Sequence, residues 1–272
     1  MVALPTQEPA MFIDRPGAQV HALSFGGGPL TLLAVGGWVA GGEIWHPLFE
    51  HLPHWRCIAL DHRGAGASAR QGTFSVDDMA DDLLAVADSM AVGPCVLAGE
   101  SSGAATVLRA MQRAPGRFLG QVLVGAAWQR TEPGSSDGFG ARLRQDFHGS
   151  LRSFIDNCLP ETDSVGLRRW ALQVLTRSSV DDAIDLLRSR ERIAPVMFEP
   201  GSTPPSLLVH GSLDRIVPPQ SARLLAERLA GAELQLLPGL GHVPIVTAAS
   251  AVATLIDGFG QRVALNRWAH TR

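Results

Sequence analysis

Short apolar runs alternate with amphipathic segments along most of this sequence, and the alternation restricts the fold more than any other feature. Such short runs are typical of strands that are buried on both faces of a parallel sheet. They occupy residues 19–24, 30–35, 56–60, 95–98, 121–124, 206–210 and 234–237. The sequence therefore predicts a sheet with one strand for each run.

The segments between these runs have apolar residues at helical spacing. Helices are predicted over residues 75–90, 102–113, 220–229 and 248–259. The first of them begins with Ser75, a residue type that caps helix N-termini, and carries acidic residues in its first turns. Because alternating strands and helices form right-handed crossovers, we expect an α/β fold whose mostly parallel central sheet is flanked by helices.

The alternation stops between residues 128 and 200. Amphipathic helical patterns follow one another there, at 141–147, 151–158, 165–176 and 180–190, and this stretch is too long for an ordinary connection. We interpret 128–200 as a helical cap, or lid. The α/β core is then made of residues 1–127 and 201–272.

The strongest chemical signal is the segment Gly99-Glu100-Ser101-Ser102-Gly103, which matches the pattern G-x-S-x-G. It comes directly after a predicted strand and directly before a predicted helix. A sharp strand-to-helix turn needs small neighbours on both sides of its central residue, and the two glycines supply them. This context predicts that the Ser101 hydroxyl is presented at the edge of the sheet as a nucleophile.

These residues resemble the α/β-hydrolase family, and the resemblance extends over most of the chain. The stretches LLAVGGW (32–38), CIALDHRGAGAS (57–68), LLVHGSLDRIVP (207–218) and GLGHVP (239–244) are similar to family motifs in the expected order. Gly36 replaces the histidine that is usual at its position. The resemblance implies an α/β-hydrolase fold with a cap insertion.

Residue by residue, the resemblance implies that Ser101 is the nucleophile, His242 the general base and Asp214 the acid that orients His242. Serine needs such a base within hydrogen-bond reach, and histidine titrates near neutral pH. Some family members carry the acid after the strand at 121–124 instead. Residues 122–130 contain no Asp or Glu, so we favour Asp214.

The resemblance also implies an oxyanion hole made by the backbone amides of Trp38 and Ser102. Asp61 and Arg63 are expected to brace a loop. Glu100, although adjacent to the nucleophile, is expected to point away from the site. Apolar residues that are candidates for lining a substrate pocket are Val39, Trp128, Phe147, Phe154, Trp170 and Met197.

Composition excludes several other chemistries. All 23 basic residues are Arg and the sequence contains no Tyr, which rules out a Schiff-base lysine, a P-loop lysine and a tyrosine acid. The net charge of −3 shows no excess of positive charge, so nucleic acid is not expected as a partner. Neither a signal peptide nor a membrane span is visible. We expect a cytoplasmic monomer or homodimer that acts on a small molecule without a membrane partner, cofactor or metal.

A serine at this turn, rather than the aspartate of the family's dehalogenases and epoxide hydrolases, points to acyl chemistry. The leading hypothesis is a serine hydrolase that cleaves a small or medium, largely apolar carboxylic ester or lactone. Thioester or C–C bond hydrolysis and acyl transfer use the same three residues. A cofactor-free oxygenase and a ligand receptor on this fold remain alternatives.

Overall fold

The computed structural model describes residues 10–126, 134, 136–191, 198 and 202–270, without the side chains of 268–270. The strands in these ranges are β1 (Met11–Arg15), β2 (Ala18–Phe25), β3 (Leu30–Val35), β4 (Trp55–Asp61), β5 (Ala69–Arg70), β6 (Cys95–Glu100), β7 (Gly120–Val124), β8 (Ser206–Gly211) and β9 (Glu233–Leu237). They form one sheet in the order β1-β2-β4-β3-β6-β7-β8-β9, with β5 paired to β2. The strands from β4 to β9 along this order run parallel, while β2 is antiparallel to β1, β4 and β5. The predicted α/β fold with a mostly parallel sheet is confirmed.

Helices cover both faces of this sheet. They are α1 (His46–Phe49), α2 (Val76–Ser89), α3 (Gly103–Arg113), α4 (Asp137–Gln145), α5 (Phe147–Cys158), α6 (Val165–Leu175), α7 (Val180–Glu191), α8 (Pro219–Arg228), α9 (Pro244–Thr247) and α10 (Ala249–His270). Two buried apolar clusters lie on the two faces: one contains side chains of α2, α3 and α8, and the other contains side chains of α1, α10 and α4–α7. In the part of the chain that the structure describes, no helix combines the length and apolarity needed to cross a bilayer.

Helix α2 shows how local sequence sets an element boundary. The Ser75 hydroxyl accepts a hydrogen bond from the Asp78 amide, and the Asp78 carboxylate accepts one from the Ser75 amide. This reciprocal capping box satisfies two amides that have no partner inside the helix. The helix then buries Met79, Leu83 and Val86 against the sheet.

The four helices α4–α7 lie between β7 and β8 and are called the inserted helices below. Each corresponds to one predicted pattern within 128–200, although α4 ends and α5 begins around Asp146, whose carboxylate accepts from the Gly149 amide. Their apolar faces pack on the same cluster as the loop after β3. The inserted helices therefore lie over the edge of the sheet where β3, β6 and β8 end.

Several elements differ from the sequence-based prediction. Strands β1 and β5 and the short helix α9 were not predicted, and α10 continues well past residue 259. Gly260 lies inside the helix, where the indole of Trp55 packs against it. A Cβ at this position would lie 2.1 Å from that ring. This glycine therefore permits close packing inside a helix and does not end it.

Candidate active site

Ser101 stands on the tight turn between β6 and α3. Its φ is +51°, a left-handed conformation that costs energy for a residue with a side chain. Both flanking glycines are required by close approach: a Cβ on Gly99 would lie 2.6 Å from the Gly103 carbonyl, and one on Gly103 would lie 2.5 Å from the Gly36 oxygen. The start of α3 therefore packs closely against the loop that follows β3.

The structure brings Ser101, His242 and Asp214 together from three separate strand ends. Ser101 Oγ lies 2.9 Å from His242 Nε2, and His242 Nδ1 lies 2.7 Å from Asp214 Oδ2. The three side chains therefore form one continuous chain of hydrogen bonds. A proton can pass from the serine hydroxyl to His242, whose positive charge would then face a carboxylate.

Asp214 is fixed by its own loop. Its Oδ1 accepts hydrogen bonds from the amides of Ile216 and Val217, at 2.8 and 2.9 Å. His210 Nε2 lies 3.1 Å from Asp214 Oδ2 and donates to the Val217 carbonyl. Burial opposes ionisation of Asp214, but the hydrogen bonds from His210 and His242 outweigh burial and hold the pKa of this carboxyl below its usual range.

His242 is buried, and the inserted helices hold the loop that carries it. The His242 amide donates to the carbonyl of Cys158 at 2.9 Å, and the Gly241 amide donates to Glu161 Oε1 at 2.7 Å. Burial acts to lower the pKa of His242, but the hydrogen bond and charge of Asp214 raise it, and the net direction is upward. Sequence reasoning missed Cys158 and Glu161 because they act through a backbone carbonyl and a distant contact.

The position of Glu100 contradicts the sequence-based expectation that its side chain points away from the site. Its side chain is buried in the site, and Oε1 lies 3.7 Å from His242 Nε2. Burial raises the pKa of Glu100 to about 7, while the charge of His242 and a hydrogen bond from the Gly37 amide act in the opposite direction. Glu100 therefore adds an ionisable carboxyl on the side of His242 that faces Ser101.

The loop after β3 contacts this group of residues. The Gly37 carbonyl is 2.7 Å from His62 Nε2, and its amide bonds to the Glu100 carboxylate. The indole Nε1 of Trp38 donates to the Ala183 carbonyl on α7 at 2.7 Å. The loop is thereby connected to β4, to the Ser101 turn and to the inserted helices.

Asp61 and Arg63 lie at the end of β4 and brace the neighbouring loops. Asp61 accepts hydrogen bonds from the amides of Gly42 and Ala67, at 2.6 and 2.8 Å, and pairs with His21. Arg63 forms a buried ion pair with Asp82 of α2, with 2.5 Å between Nε and Oδ2. These contacts join loops and helices and do not reach Ser101.

An apolar cavity of about 70 Å³, called the inner cavity below, ends at Ser101. Phe154, Trp170, Leu167 and Val246 are among the side chains that line it. Val39 and Phe147 are not among its lining residues. The backbone of Val39 is left-handed, with a φ of +45°, and its side chain is fully buried in the core, while Phe147 at the start of α5 packs on the same core. Trp128 and Met197 lie outside the described residues.

The chain has clear similarity to known proteins. A family model for the alpha/beta hydrolase fold matches residues 31–166. A pimeloyl-[acyl-carrier protein] methyl ester esterase of Yersinia enterocolitica is 27% identical over 256 residues, which cover 87% of this chain and 95% of that protein. The enzyme of the same description from Pectobacterium carotovorum is 25% identical, with coverages of 87% and 96%.

Solved structures share the fold at lower identity. A thermophilic esterase from Thermogutta terrifontis superposes with a TM-score of 0.84 at 20% identity, covering 94% of this chain and 99% of that one. The enol-lactonase from Burkholderia xenovorans LB400 gives a TM-score of 0.82 at 20% identity, with coverages of 92% and 99%. Since the family model covers half of the 272 residues and these structures superpose over more than nine tenths of them, the chain belongs to the alpha/beta hydrolase fold family.

Proposed function

We propose that this protein is a serine hydrolase that cleaves a small or medium, largely apolar carboxylic ester or lactone through an acyl-enzyme. The observation that carries the proposal is the unbroken hydrogen-bond chain from Asp214 through His242 to Ser101, which ends at an apolar cavity. The esterase relatives support ester cleavage as the reaction class.

In the first half of the reaction, Ser101 Oγ attacks the carbonyl carbon while His242 Nε2 takes the hydroxyl proton. The negative oxygen of the tetrahedral intermediate accepts hydrogen bonds from the backbone amides of Trp38 and Ser102. When the intermediate collapses, the bond to the alcohol oxygen breaks and His242 returns the proton to that oxygen. The acyl group stays on Ser101.

In the second half, water attacks the acyl carbon and His242 again takes the proton. Collapse releases the carboxylic acid and restores the Ser101 hydroxyl, so that one ester and one water give one acid and one alcohol. Asp214 stays ionised throughout and stabilises the imidazolium. The lowered pKa of Asp214 fits this role.

The inserted helices act as the cap in this proposal. They supply Phe154 and Trp170 to the inner cavity and hold the His242 loop through Cys158. The cap therefore excludes water from the acyl side and sets substrate size. The methyl ester named in the descriptions of the relatives makes short alkyl esters the first substrates to test.

The test combines chemical labelling with turnover. A fluorophosphonate probe should label Ser101, and Ser101→Ala should abolish labelling and reduce methyl and p-nitrophenyl ester hydrolysis by about 10⁴-fold. Ser250→Ala, at an exposed serine on α10, is the matched control and should keep full activity. Near-wild-type turnover by Ser101→Ala would overturn the proposal.

The product distribution separates this reaction from its alternatives. An ester, lactone and diketone panel identifies the bond that is cleaved, and added alcohols or amines would be acylated by an acyltransferase. Oxygen consumption that survives Ser101→Ala would indicate a cofactor-free oxygenase. Tight ligand binding without any product would indicate a receptor.

A further inference from the structure

A second cavity opens on the other side of Ser101. This outer cleft has a volume of about 690 Å³ and shares Trp38, Ser101 and Phe154 with the inner cavity. Its walls come from α4, α5, α7 and the loop after β8. The nucleophile therefore lies between a narrow apolar space and a wider polar one.

The outer cleft is positively charged. Its lining includes Arg142 on α4, Arg190 on α7 and Arg215 beside the predicted acid. Among the described residues, the lining contains one carboxylate, that of Asp146, and it accepts a hydrogen bond from the Gly149 amide at the start of α5. The remaining polar lining residues are neutral, including Ser150, Ser153 and Asn157.

Four other arginines between residues 137 and 191 have a carboxylate partner: Arg144 pairs with Asp181, Arg168 with Asp156, Arg177 with Glu43 and Arg188 with Asp137. Arg152 and Arg169 form no ion pair among the described residues, but both are exposed and do not line the cleft. Arg142, Arg190 and Arg215 form no ion pair with any carboxylate among the described residues. Arg142 instead lies over the Phe139 ring, 5.4 Å from its centre.

Among the three arginines of the cleft, Arg190 is the most shielded from water, because it is half-buried while Arg142 and Arg215 are exposed. Its partial burial lowers the pKa of the guanidinium. Its positive charge also acts to lower the pKa of His242. An anion that binds beside Arg190 would supply the missing counter-charge close to the scissile bond.

We propose that the outer cleft binds an anionic group of the substrate, a carboxylate or a phosphate, through Arg190 with support from Arg142 and Arg215. This inference rests on the proposed ester hydrolysis and narrows its substrate class. The substrate is an ester with an apolar part in the inner cavity and an anion on the opposite side of the scissile bond.

The test uses the full-length protein and three esters that share one apolar acyl group and differ only at the end of an alcohol chain of equal length. One ester ends in a carboxylate, a second in a phosphate monoester and a third in a neutral carboxamide. We expect kcat/KM to be at least tenfold higher for one of the two anionic esters than for the carboxamide ester. The anionic ester with the higher kcat/KM shows whether the cleft binds a carboxylate or a phosphate. This preference should weaken as ionic strength rises.

Substitution of Arg190 tests whether the outer cleft causes the preference for the anionic ester. Arg190→Ala should reduce kcat/KM for the anionic ester by about tenfold or more, because the bound anion loses a hydrogen bond from a charged group. The loss should be mainly in KM and much larger for the anionic ester than for the carboxamide ester. Arg223→Gln, at an exposed arginine on α8, is the control and should leave both substrates unaffected.

Binding provides a readout that does not need turnover. Calorimetry with the Ser101→Ala variant should show binding of the anionic ester that Arg190→Ala weakens in the double variant. Equal kcat/KM for all three esters, or an anion preference that survives Arg190→Ala, would overturn this inference. If Ser101 is also not labelled by a fluorophosphonate, the proposed function itself fails; if it is labelled, only the anion site does.

Discussion

Glu100 Oε1 lies 3.7 Å from Nε2 of His242, the nitrogen that also faces Ser101. A carboxylate at this distance stabilises the protonated imidazole, and the charge of Glu100 is one of the causes that raise the pKa of His242. Burial raises the pKa of Glu100 itself to about 7. The protonation states of the two groups are therefore coupled.

The first prediction concerns the pH profile of Glu100→Gln. Hydrolysis needs neutral His242, so the rate of the wild-type enzyme falls as pH decreases through the raised pKa of His242. The variant lacks the negative charge that favours the imidazolium, so the acid limb of its kcat/KM profile should move to lower pH. The difference between the variant and the wild type should be largest above pH 7, where the wild-type Glu100 is ionised.

The glutamine oxygen can still accept from the Gly37 amide, so this substitution changes charge with little change in shape. Glu227→Gln, at an exposed position on α8, is the control and should leave the profile where it is. An acid limb that stays in place in Glu100→Gln, or moves to higher pH, would show that Glu100 does not influence His242.

The second prediction concerns Asp214→Asn. Asparagine can still accept from the Ile216 and Val217 amides, so the loop should fold and the unfolding temperature should change little. It cannot stabilise the imidazolium and it favours the wrong tautomer of His242. We expect kcat to fall by about 10³- to 10⁴-fold. Asp163→Asn, at an exposed position, should keep wild-type kcat, and a loss of less than tenfold in Asp214→Asn would contradict the role of Asp214.

The sequence predicted the parts of this molecule that depend on local patterns. Periodicity identified the strands from β2 to β9 apart from the two-residue β5, because buried parallel strands are short apolar runs. Ser101 could be placed from its motif, and Asp214 and His242 through the resemblance to the α/β-hydrolase family, in which all three residues follow strand ends. Parallel strands bring such ends to one edge of the sheet, where the structure joins these side chains by hydrogen bonds.

The orientation of side chains at irregular backbone was not predictable in the same way. The left-handed residue at Val39 turns that side chain into the core, and the turn at Ser101 leaves the preceding Glu100 buried in the site. The outer cleft combines residues from α4, α7 and the β8 loop, which are far apart in sequence. A local sequence pattern cannot predict which arginines lack a carboxylate partner after these elements have packed together.

The third prediction concerns Gly37→Ala. A Cβ at residue 37 would lie 2.4 Å from Glu100 Oε2 and 2.9 Å from Ser101 Cβ, so the loop after β3 must shift. A displacement of about 1 Å at a reacting group can cost about 100-fold in rate, and we expect a loss of kcat of that size. Gly93→Ala is the matched control, since a Cβ there meets no atom within 4 Å. Equal rates for the two variants would show that the loop adapts freely.

The fourth prediction separates the role of Trp38 from general stability. Trp38→Phe removes the hydrogen bond from Nε1 to the Ala183 carbonyl, which links the loop after β3 to α7. Trp55→Phe removes a comparable bond from Nε1 to Asp257 Oδ1 at 2.8 Å, away from the site. Each change should lower the free energy of unfolding by about 1 kcal/mol, measured by urea denaturation.

Only Trp38→Phe should also change catalysis. Because the Trp38 amide is the proposed oxyanion donor, loosening this loop should reduce kcat severalfold, while KM for a neutral ester changes little. Hydrogen exchange at the start of α7 should become faster in the same variant and stay unchanged in Trp55→Phe. If the two variants lose kcat equally, the effect follows from stability, and the Ala183 contact does not hold the loop in its active position.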